Sequence, residues 1–162
     1  KDVLFSIIPI GDNNSIATSF GIKKEEEACN ILLARRIKQI DIGIAGNNIF
    51  LNKVEILSEQ AEVKINEDYI LEINKKTPAK IINLNDDTKL SLGKRIDPYD
   101  NKLNLIIEKK INDTTFITGD DFKISGQGKL LLDESIEVPL PTEVGLIKEK
   151  INIIVGKDRS FI

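Results

Sequence analysis

The chain has 162 residues, of which 41% are hydrophobic and 30% are charged, and its formal net charge is −3. This profile is typical of a globular protein, whereas the negative charge and the 5% aromatic content disfavour a nucleic-acid binder. The lack of histidine excludes Ser-His-Asp and Cys-His catalysis within this chain, and the single cysteine excludes an intrachain disulfide and favours a reducing, cytoplasmic setting.

The N-terminal segment predicts a strand, a polar turn and a short helix. The continuous apolar run Val3–Ile10 is typical of a buried strand in a parallel sheet. The stretch NNSIATSF then predicts a helix that is capped by Asn13 or Asn14 and ended by Gly21. Such a connection exposes backbone N–H groups that favour phosphate, although many strand-to-helix turns bind nothing. Both interpretations stay open on the local sequence.

The next segment predicts a second helix, after which the pattern changes to strands. KKEEEACNILLARRI is amphipathic, with three glutamates in its first turn and Arg35 and Arg36 in its last. From residue 38 onward, short alternating runs are separated by Asn, Asp and Gly, beginning with a hairpin at Gly46–Asn48. This pattern predicts a β-sandwich or barrel-like domain with its boundary near Lys38.

Four segments also match known motifs in a fixed order. IIPIGDNNSIATSFGI is similar to P-x-G-T-x-N-D-x-A-R-x-x-G-I, and IDIGIAGNNIFLN is similar to I-D-L-G-x-x-N-G-x-x-F-x-N. DPYDNKLNLII and LLLDESIEVPLP then match a P-x-A-x-x-x-D-G-x-L-D-L-x-I region and a segment with a D-G-E motif. This succession resembles the diacylglycerol kinase catalytic-domain family, which includes bacterial lipid kinases and is related to sphingosine kinases. The residues in register in the first two segments are Pro9, Gly11, Asn14, Ala17, Gly21, Ile22, Ile40, Asp41, Ile42, Gly43, Phe50 and Asn52.

The resemblance implies a mainly β chain with two parts. Residues 1–37 would be the C-terminal part of an α/β nucleotide-binding domain, and residues 38–162 an antiparallel β-sandwich domain. The implied activity is phosphoryl transfer from ATP, with Mg²⁺, to a lipid hydroxyl at the cytoplasmic face of a membrane. The family's G-G-D-G-T motif does not occur in the chain, which begins at Lys1. We therefore expect a fragment that does not turn over ATP alone, and a homodimer stays open.

The resemblance places nucleotide contacts in the first polar turn, at Gly11, Asp12, Asn13 and Asn14. The turn departs from the family pattern at three positions, which are Asp12 for Thr, Ser15 for Asp and Thr18 for Arg. A carboxylate at Asp12 would repel a phosphate unless a cation lies between them.

A divalent-cation site is implied at the Asp-x-x-Asp pair of RIDPYDNK. Asp97 and Asp100, together with the carbonyl of Lys102, could hold Mg²⁺ because hard cations prefer oxygen ligands. Asp-Pro-Tyr-Asp-Asn is also an ordinary turn sequence. The residues alone leave both interpretations open, and the resemblance favours the metal site.

The resemblance assigns the catalytic role to Asp133, which aligns with the Asp of D-G-E, the proposed general base for the lipid hydroxyl. Glu134 replaces the Gly and Ser135 replaces the Glu of that motif. These departures support an alternative hypothesis, in which the chain is a degenerate, non-catalytic relative whose β-sandwich binds a lipid or a protein partner.

Overall fold

The structure, a computed structural model, describes residues 3–11, 14–66, 69–74, 77–84, 96–110 and 113–161. The described part is mainly antiparallel β, as the sequence predicts. None of its helices combines the length and the apolar character needed to cross a membrane. The elements are β1 (Leu4–Phe5), α1 (Ser15–Ser19), α2 (Glu25–Ala34), β2 (Ile37–Ala45), β3 (Asn48–Phe50), β4 (Lys53–Ile65), β5 (Tyr69–Asn74), β6 (Ala79–Ile82), β7 (Leu103–Lys110), β8 (Asp113–Gly119), β9 (Phe122–Leu132), β10 (Ile136–Pro139) and β11 (Thr142–Ile154).

The first strand is shorter and more exposed than its sequence predicts. β1 runs parallel to β11, with Leu4 opposite Asn152 and Phe5 opposite Ile153. Its parallel direction agrees with the prediction, but Leu4 is 36% and Phe5 47% exposed, so the prediction of burial was wrong. The apolar run indicates side chains suited to burial, yet in the described chain β1 pairs with β11 alone.

Both predicted helices form, and both end with a left-handed residue. Gly21, at φ 75°, follows α1 and donates its N–H to the Thr18 carbonyl, 2.9 Å away. Arg35, at φ 46°, stops α2 after Ala34, so the arginines lie beyond the last turn and not within it. The three glutamates do occupy the first turn of α2, where they complement the helix dipole.

The predicted hairpin joins β2 to β3, with Ala45 opposite Asn48 across a two-residue turn. Gly46 has φ 58°, which such turns favour. Two residues further from the turn, Phe50 lies opposite Gly43, and its ring covers the glycine so closely that a Cβ there would come within 2.2 Å of the ring. Only glycine fits beneath this aromatic side chain.

The strands form one bent sheet, whose main path runs β3-β2-β11-β9-β4-β6-β7-β8 within the described residues. Register shifts interrupt β4 between Leu57 and Gln60 and β11 between Leu146 and Lys150. Bulges of this kind bend and twist long strands. Strands from nearly the whole path contribute to a common cluster, so the sheet folds around its own core. This sheet core consists of Ala45, Phe50, Val54, Ile56, Ala61, Val63, Ile65, Ile73, Ala79, Ile81, Leu103, Leu105, Ile107, Phe122, Ile124, Leu130, Leu132, Val138 and Val144.

A second cluster, the helix core, packs α1 and α2 against the ends of β2 and β11. Its aromatic centre is an edge-to-face contact between Phe20 and Phe161, with ring centroids 5.6 Å apart. Leu51, between β3 and β4, packs against this cluster. The helix core therefore draws on residues from both sides of the predicted boundary at residues 37 and 38, which stays a prediction. Its members are Ala17, Phe20, Ile22, Ala28, Ile40, Leu84, Ile153, Val155 and Phe161.

Candidate functional site

The predicted base lies in a tight turn between β9 and β10. Asp133 and Glu134 are the central residues of this turn, and both are left-handed, with φ 44° and 62°. The Ser135 N–H closes the turn by donating to the Leu132 carbonyl, 3.0 Å away. Residues with a Cβ rarely adopt this conformation, and each one costs of order 1–3 kcal/mol. The turn therefore needs compensating contacts.

The carboxylate of Asp133 supplies such contacts by accepting three backbone N–H groups from the connection between β3 and β4. Its Oδ2 lies 2.7 Å from the nitrogen of Leu51, and its Oδ1 lies 2.9 Å from those of Asn52 and Lys53. The Asp133 N–H donates in return to the Lys53 carbonyl, 2.9 Å away. An ionised carboxylate has about four acceptor sites, so about one remains available. Asp133 thus ties two turns together and can still accept one hydroxyl.

A nearly buried lysine lies beside this turn. The ammonium of Lys53 is 3.0 Å from a carboxylate oxygen of Glu134 and 2.8 Å from one of Glu55, and its side chain is only 12% exposed. Glu134 stands where the D-G-E motif has glycine. Its ion pair with Lys53 is a contact that glycine could not make, and it partly offsets the strained backbone.

Asn83 joins β2 to the β3–β4 connection that Asp133 holds, although none of the sequence motifs includes it. Its side chain is fully buried, and its Nδ2 donates to the carbonyls of Asp41 at 2.8 Å and Leu51 at 2.9 Å. Its backbone N–H donates to the Asn52 carbonyl, 2.9 Å away. Within the described residues, the Oδ1 atoms of Asn52 and Asn83 are buried without a hydrogen-bond partner. The only available sequence signal was that Asn83 follows an apolar strand.

Asp41 fixes the turn that contains the predicted metal ligands. It is buried, and its Oδ2 accepts the N–H of Asn101 at 2.9 Å, while its own N–H donates to the Pro98 carbonyl at 2.7 Å. Its Oδ1 pairs with the Lys150 ammonium at 2.5 Å. Asp41 therefore holds the DPYDNK turn (residues 97–102) to β2 through both its backbone N–H and its side-chain carboxylate.

Asp97 and Asp100 each use one oxygen within their own turn. Asp97 Oδ1 accepts the N–H of Tyr99 at 3.1 Å, and Asp100 Oδ1 accepts the N–H of Lys102 at 2.9 Å. The pKa of Asp100 is raised because partial burial disfavours its charged form and because Asp97 and Asp41 repel it, although the hydrogen bond from Lys102 opposes the shift.

Two observations on the DPYDNK turn disfavour the divalent-cation site that the resemblance implies. The described residues contain no cluster of three or more His, Cys, Asp or Glu side chains that could hold a metal. The Tyr99 carbonyl, a hard oxygen ligand in the middle of the turn, accepts the Lys150 ammonium at 3.0 Å. A second cation near this carbonyl would meet the repulsion of that positive charge. The ligand assignment to Asp97, Asp100 and Lys102 stays a prediction, and this donor set does not favour it.

The predicted nucleotide loop is described only in part, since Asp12 and Asn13 lie outside the described residues. Gly11 is exposed with φ 85°, and its carbonyl accepts Asn14 Nδ2 at 2.6 Å. Asn14 precedes α1, and its carbonyl accepts the N–H of Thr18 at 2.9 Å. Nucleotide binding by this loop stays a prediction.

The contact with Leu51 places the Asp133 turn at the boundary between the helix core and the sheet core. Its backbone N–H donates to Asp133, and its side chain packs against the helix core. Its neighbour Phe50 and nearby Val54 belong to the sheet core. The predicted base therefore lies where the helices that follow the predicted loop meet the β structure.

Solved structures resemble this chain, whereas the searches by sequence found no match. No family model matches it, and neither does any curated protein. A solved structure of a candidate diacylglycerol kinase from Bacillus anthracis str. Sterne matches with a TM-score of 0.78 and 14% identity, over 95% of this chain and 69% of the other. A diacylglycerol kinase structure from the same organism matches with a TM-score of 0.71 and 16% identity, over 95% of this chain and 67% of the other.

A more distant likeness extends to a nucleotide-cofactor kinase. The structure of an NAD kinase from Archaeoglobus fulgidus, in complex with ATP, matches with a TM-score of 0.54 and 9% identity, over 84% of this chain and 62% of that one. Identities this low show the fold alone. Since the likeness spans nearly the whole chain, the protein has the fold of the diacylglycerol kinase structures, as its ordered motifs predict.

Proposed function

We propose that this chain forms part of a lipid kinase that transfers phosphate from ATP to a lipid hydroxyl, such as that of diacylglycerol, at the cytoplasmic surface of a membrane. The observation that carries the proposal is the fold match over 95% of the chain, which coincides with four motifs in the family's order. Mg²⁺ enters in this proposal as the partner of ATP.

Asp133 orients the acceptor hydroxyl in this mechanism. Phosphoryl transfer passes through a loose transition state, so positioning and charge stabilisation matter more than strong basicity. Three backbone N–H groups fix the carboxylate, and the remaining acceptor site on Oδ2 is suited to a hydroxyl hydrogen. The proton of the hydroxyl moves toward this oxygen as the hydroxyl oxygen bonds to the γ-phosphorus and the bond from that phosphorus to the leaving ADP breaks.

The nucleotide contacts come from the Gly11–Asn14 turn and from further α/β structure that carries the G-G-D-G-T motif. Two observations support such a partner structure. Within the described residues β1 is a parallel strand that pairs with β11 alone, and apolar side chains in β1 and on both sides of it in the sequence are exposed. Phosphate-loop structure packed against this edge would bury them. They are Val3, Leu4, Phe5, Ile8 and Ile10.

A specific observation favours the alternative, a non-catalytic relative that binds a lipid or protein partner. Glu134 fills the glycine position of D-G-E and pairs with Lys53, while the Asp133 carboxylate is largely occupied by backbone groups. In that case Asp133 only stabilises the packing of two turns against each other, and the β structure binds a lipid or a protein partner without catalysis.

The experiment measures transfer of labelled phosphate from Mg-ATP to diacylglycerol in mixed micelles by the protein expressed from its own gene. We expect labelled phosphatidic acid, and a fall in kcat of about 100-fold or more in Asp133→Asn. Asp120→Asn, at an exposed aspartate, is the matched control, and circular dichroism checks that both variants fold. Absence of product, together with saturable binding to diacylglycerol vesicles, would support the alternative.

A further inference from the structure

Lys150 contacts the DPYDNK turn in the manner of a bound cation. Its ammonium touches an oxygen of Asp41 at 2.5 Å and the Tyr99 carbonyl at 3.0 Å, and it lies 4.0 Å from the centroid of the Tyr99 ring. A carboxylate, a carbonyl and an aromatic face are three groups that attract positive charge. The Lys150 side chain is only 17% exposed, so solvent screens these contacts weakly.

The position of Lys150 follows from the register of β11. The strand carries a bulge between Leu146 and Lys150, and pairing with β2 resumes with Lys150 directly opposite Asp41. Directly opposed residues on neighbouring strands have Cβ atoms about 4.5–5.5 Å apart, which allows an ion pair. Bulges often re-aim a side chain in this way. The register of β11 against β2 therefore positions the Lys150 ammonium next to the DPYDNK turn.

The same ammonium joins three segments that are far apart in the sequence. Asp41 belongs to β2, Lys150 to β11 and Tyr99 to the turn before β7. Asp41 also accepts the N–H of Asn101, so the buried carboxylate is satisfied by one strand and one turn at once. A buried carboxylate of this kind requires a positive partner because its desolvation is costly.

We propose that Lys150 is the built-in cation of the DPYDNK turn, so that the turn forms without a divalent metal ion. The ammonium neutralises Asp41 and binds the Tyr99 carbonyl, while Asp97 and Asp100 cap backbone N–H groups of their own turn. The Lys150 side chain thereby supplies the positive charge that a metal ion would otherwise supply. The inference does not depend on the proposed kinase activity.

The test measures hydrogen exchange of the Asn101 amide by NMR, in excess EDTA and in excess MgCl₂. We expect equal protection in the two solutions for the wild-type chain. In Lys150→Met the Asp41 carboxylate, which accepts this N–H, loses the cation that holds it in place, and we expect exchange of the Asn101 amide to accelerate about tenfold or more. Lys148→Met changes an exposed lysine on the same strand and should leave the Asn101 amide as protected as in wild type.

A second measurement, on the wild-type chain, tests whether the turn binds a divalent ion even if Lys150→Met fails to fold. Mn²⁺, a paramagnetic ion that binds oxygen ligands as Mg²⁺ does, is titrated into labelled protein. We expect no selective broadening of the signals of residues 97–102. Selective broadening there, or protection of the Asn101 amide that requires Mg²⁺, would overturn the proposal.

Discussion

Replacing Asp133 with asparagine tests how strongly its carboxylate holds the β3–β4 connection. Asparagine has the same shape but only one oxygen, so two hydrogen bonds persist in weaker, neutral form and an NH₂ group faces the third N–H. Hydrogen bonds to a charged group contribute about 1.5–3 kcal/mol each and neutral ones about 1 kcal/mol. Weakening two and losing one gives a destabilisation of about 3 kcal/mol, which is large beside a total stability of roughly 5–15 kcal/mol.

Urea unfolding monitored by circular dichroism measures this change. With an m-value of about 2 kcal/mol per molar urea, the midpoint of Asp133→Asn should fall by about 1.5 M relative to wild type. Asp120→Asn, whose carboxylate is on an exposed residue, should shift it by less than about 0.3 M. A similarly small shift for Asp133→Asn would refute the tie between the two turns. Such a result would also remove the fixed carboxylate on which the proposed mechanism depends.

Three further predictions concern the neighbouring groups. Glu134→Gly should be more stable than Glu134→Ala by about 1 kcal/mol in urea unfolding, because φ 62° suits glycine and both variants lose the ion pair with Lys53. Asn83→Leu should lower the unfolding free energy by about 2–3 kcal/mol, because two carbonyls lose their buried donor. Asp100→Asn should stabilise the fold slightly at neutral pH, and the gain should vanish in acid. The pKa of Asp100 is raised above its ordinary value of 3.8, so the protonated carboxyl favours the folded state. This stabilisation by Asp100 is complete below pH 3.8 and is lost as the pH rises through the folded-state pKa, whereas asparagine stays neutral at every pH.

Each of these three predictions has a clear opposing result. If Glu134→Ala were as stable as Glu134→Gly or more stable, the result would contradict backbone strain at position 134. An Asn83→Leu variant as stable as wild type would mean that the carbonyls of Asp41 and Leu51 find other donors. For Asp100→Asn, denaturation at a series of pH values is required, and a gain that grows toward low pH would contradict the sign of the shift.

Local signals were sufficient for the features whose causes are local. The Gly46-Asn47 hairpin, the helix that Gly21 ends and the acidic first turn of α2 follow from residues that lie within a few positions of one another. The exposure of β1 could not be predicted in this way. Its residues are as apolar as those of a buried strand, and burial depends on which structure covers them.

The partners of the site residues depend on long-range pairing, so the sequence could not reveal them. Asp133 meets Leu51 across 82 positions, and Asn83 meets Asp41 across 42. Lys150 is an unremarkable lysine in the sequence, and only the register of β11 after its bulge places it against Asp41. Motif resemblance located Asp133 and the DPYDNK turn but gave no information on what each one contacts.

The open flank of β1 has a practical consequence for anyone preparing this chain. Within the described residues β1 pairs with β11 alone, and its other side, which carries exposed apolar side chains, is a template onto which a second copy can add a strand. Residues 1–162 prepared alone should therefore show reversible, concentration-dependent self-association, which sedimentation velocity would detect. A charged substitution such as Phe5→Lys should suppress it while leaving the remainder of the fold intact.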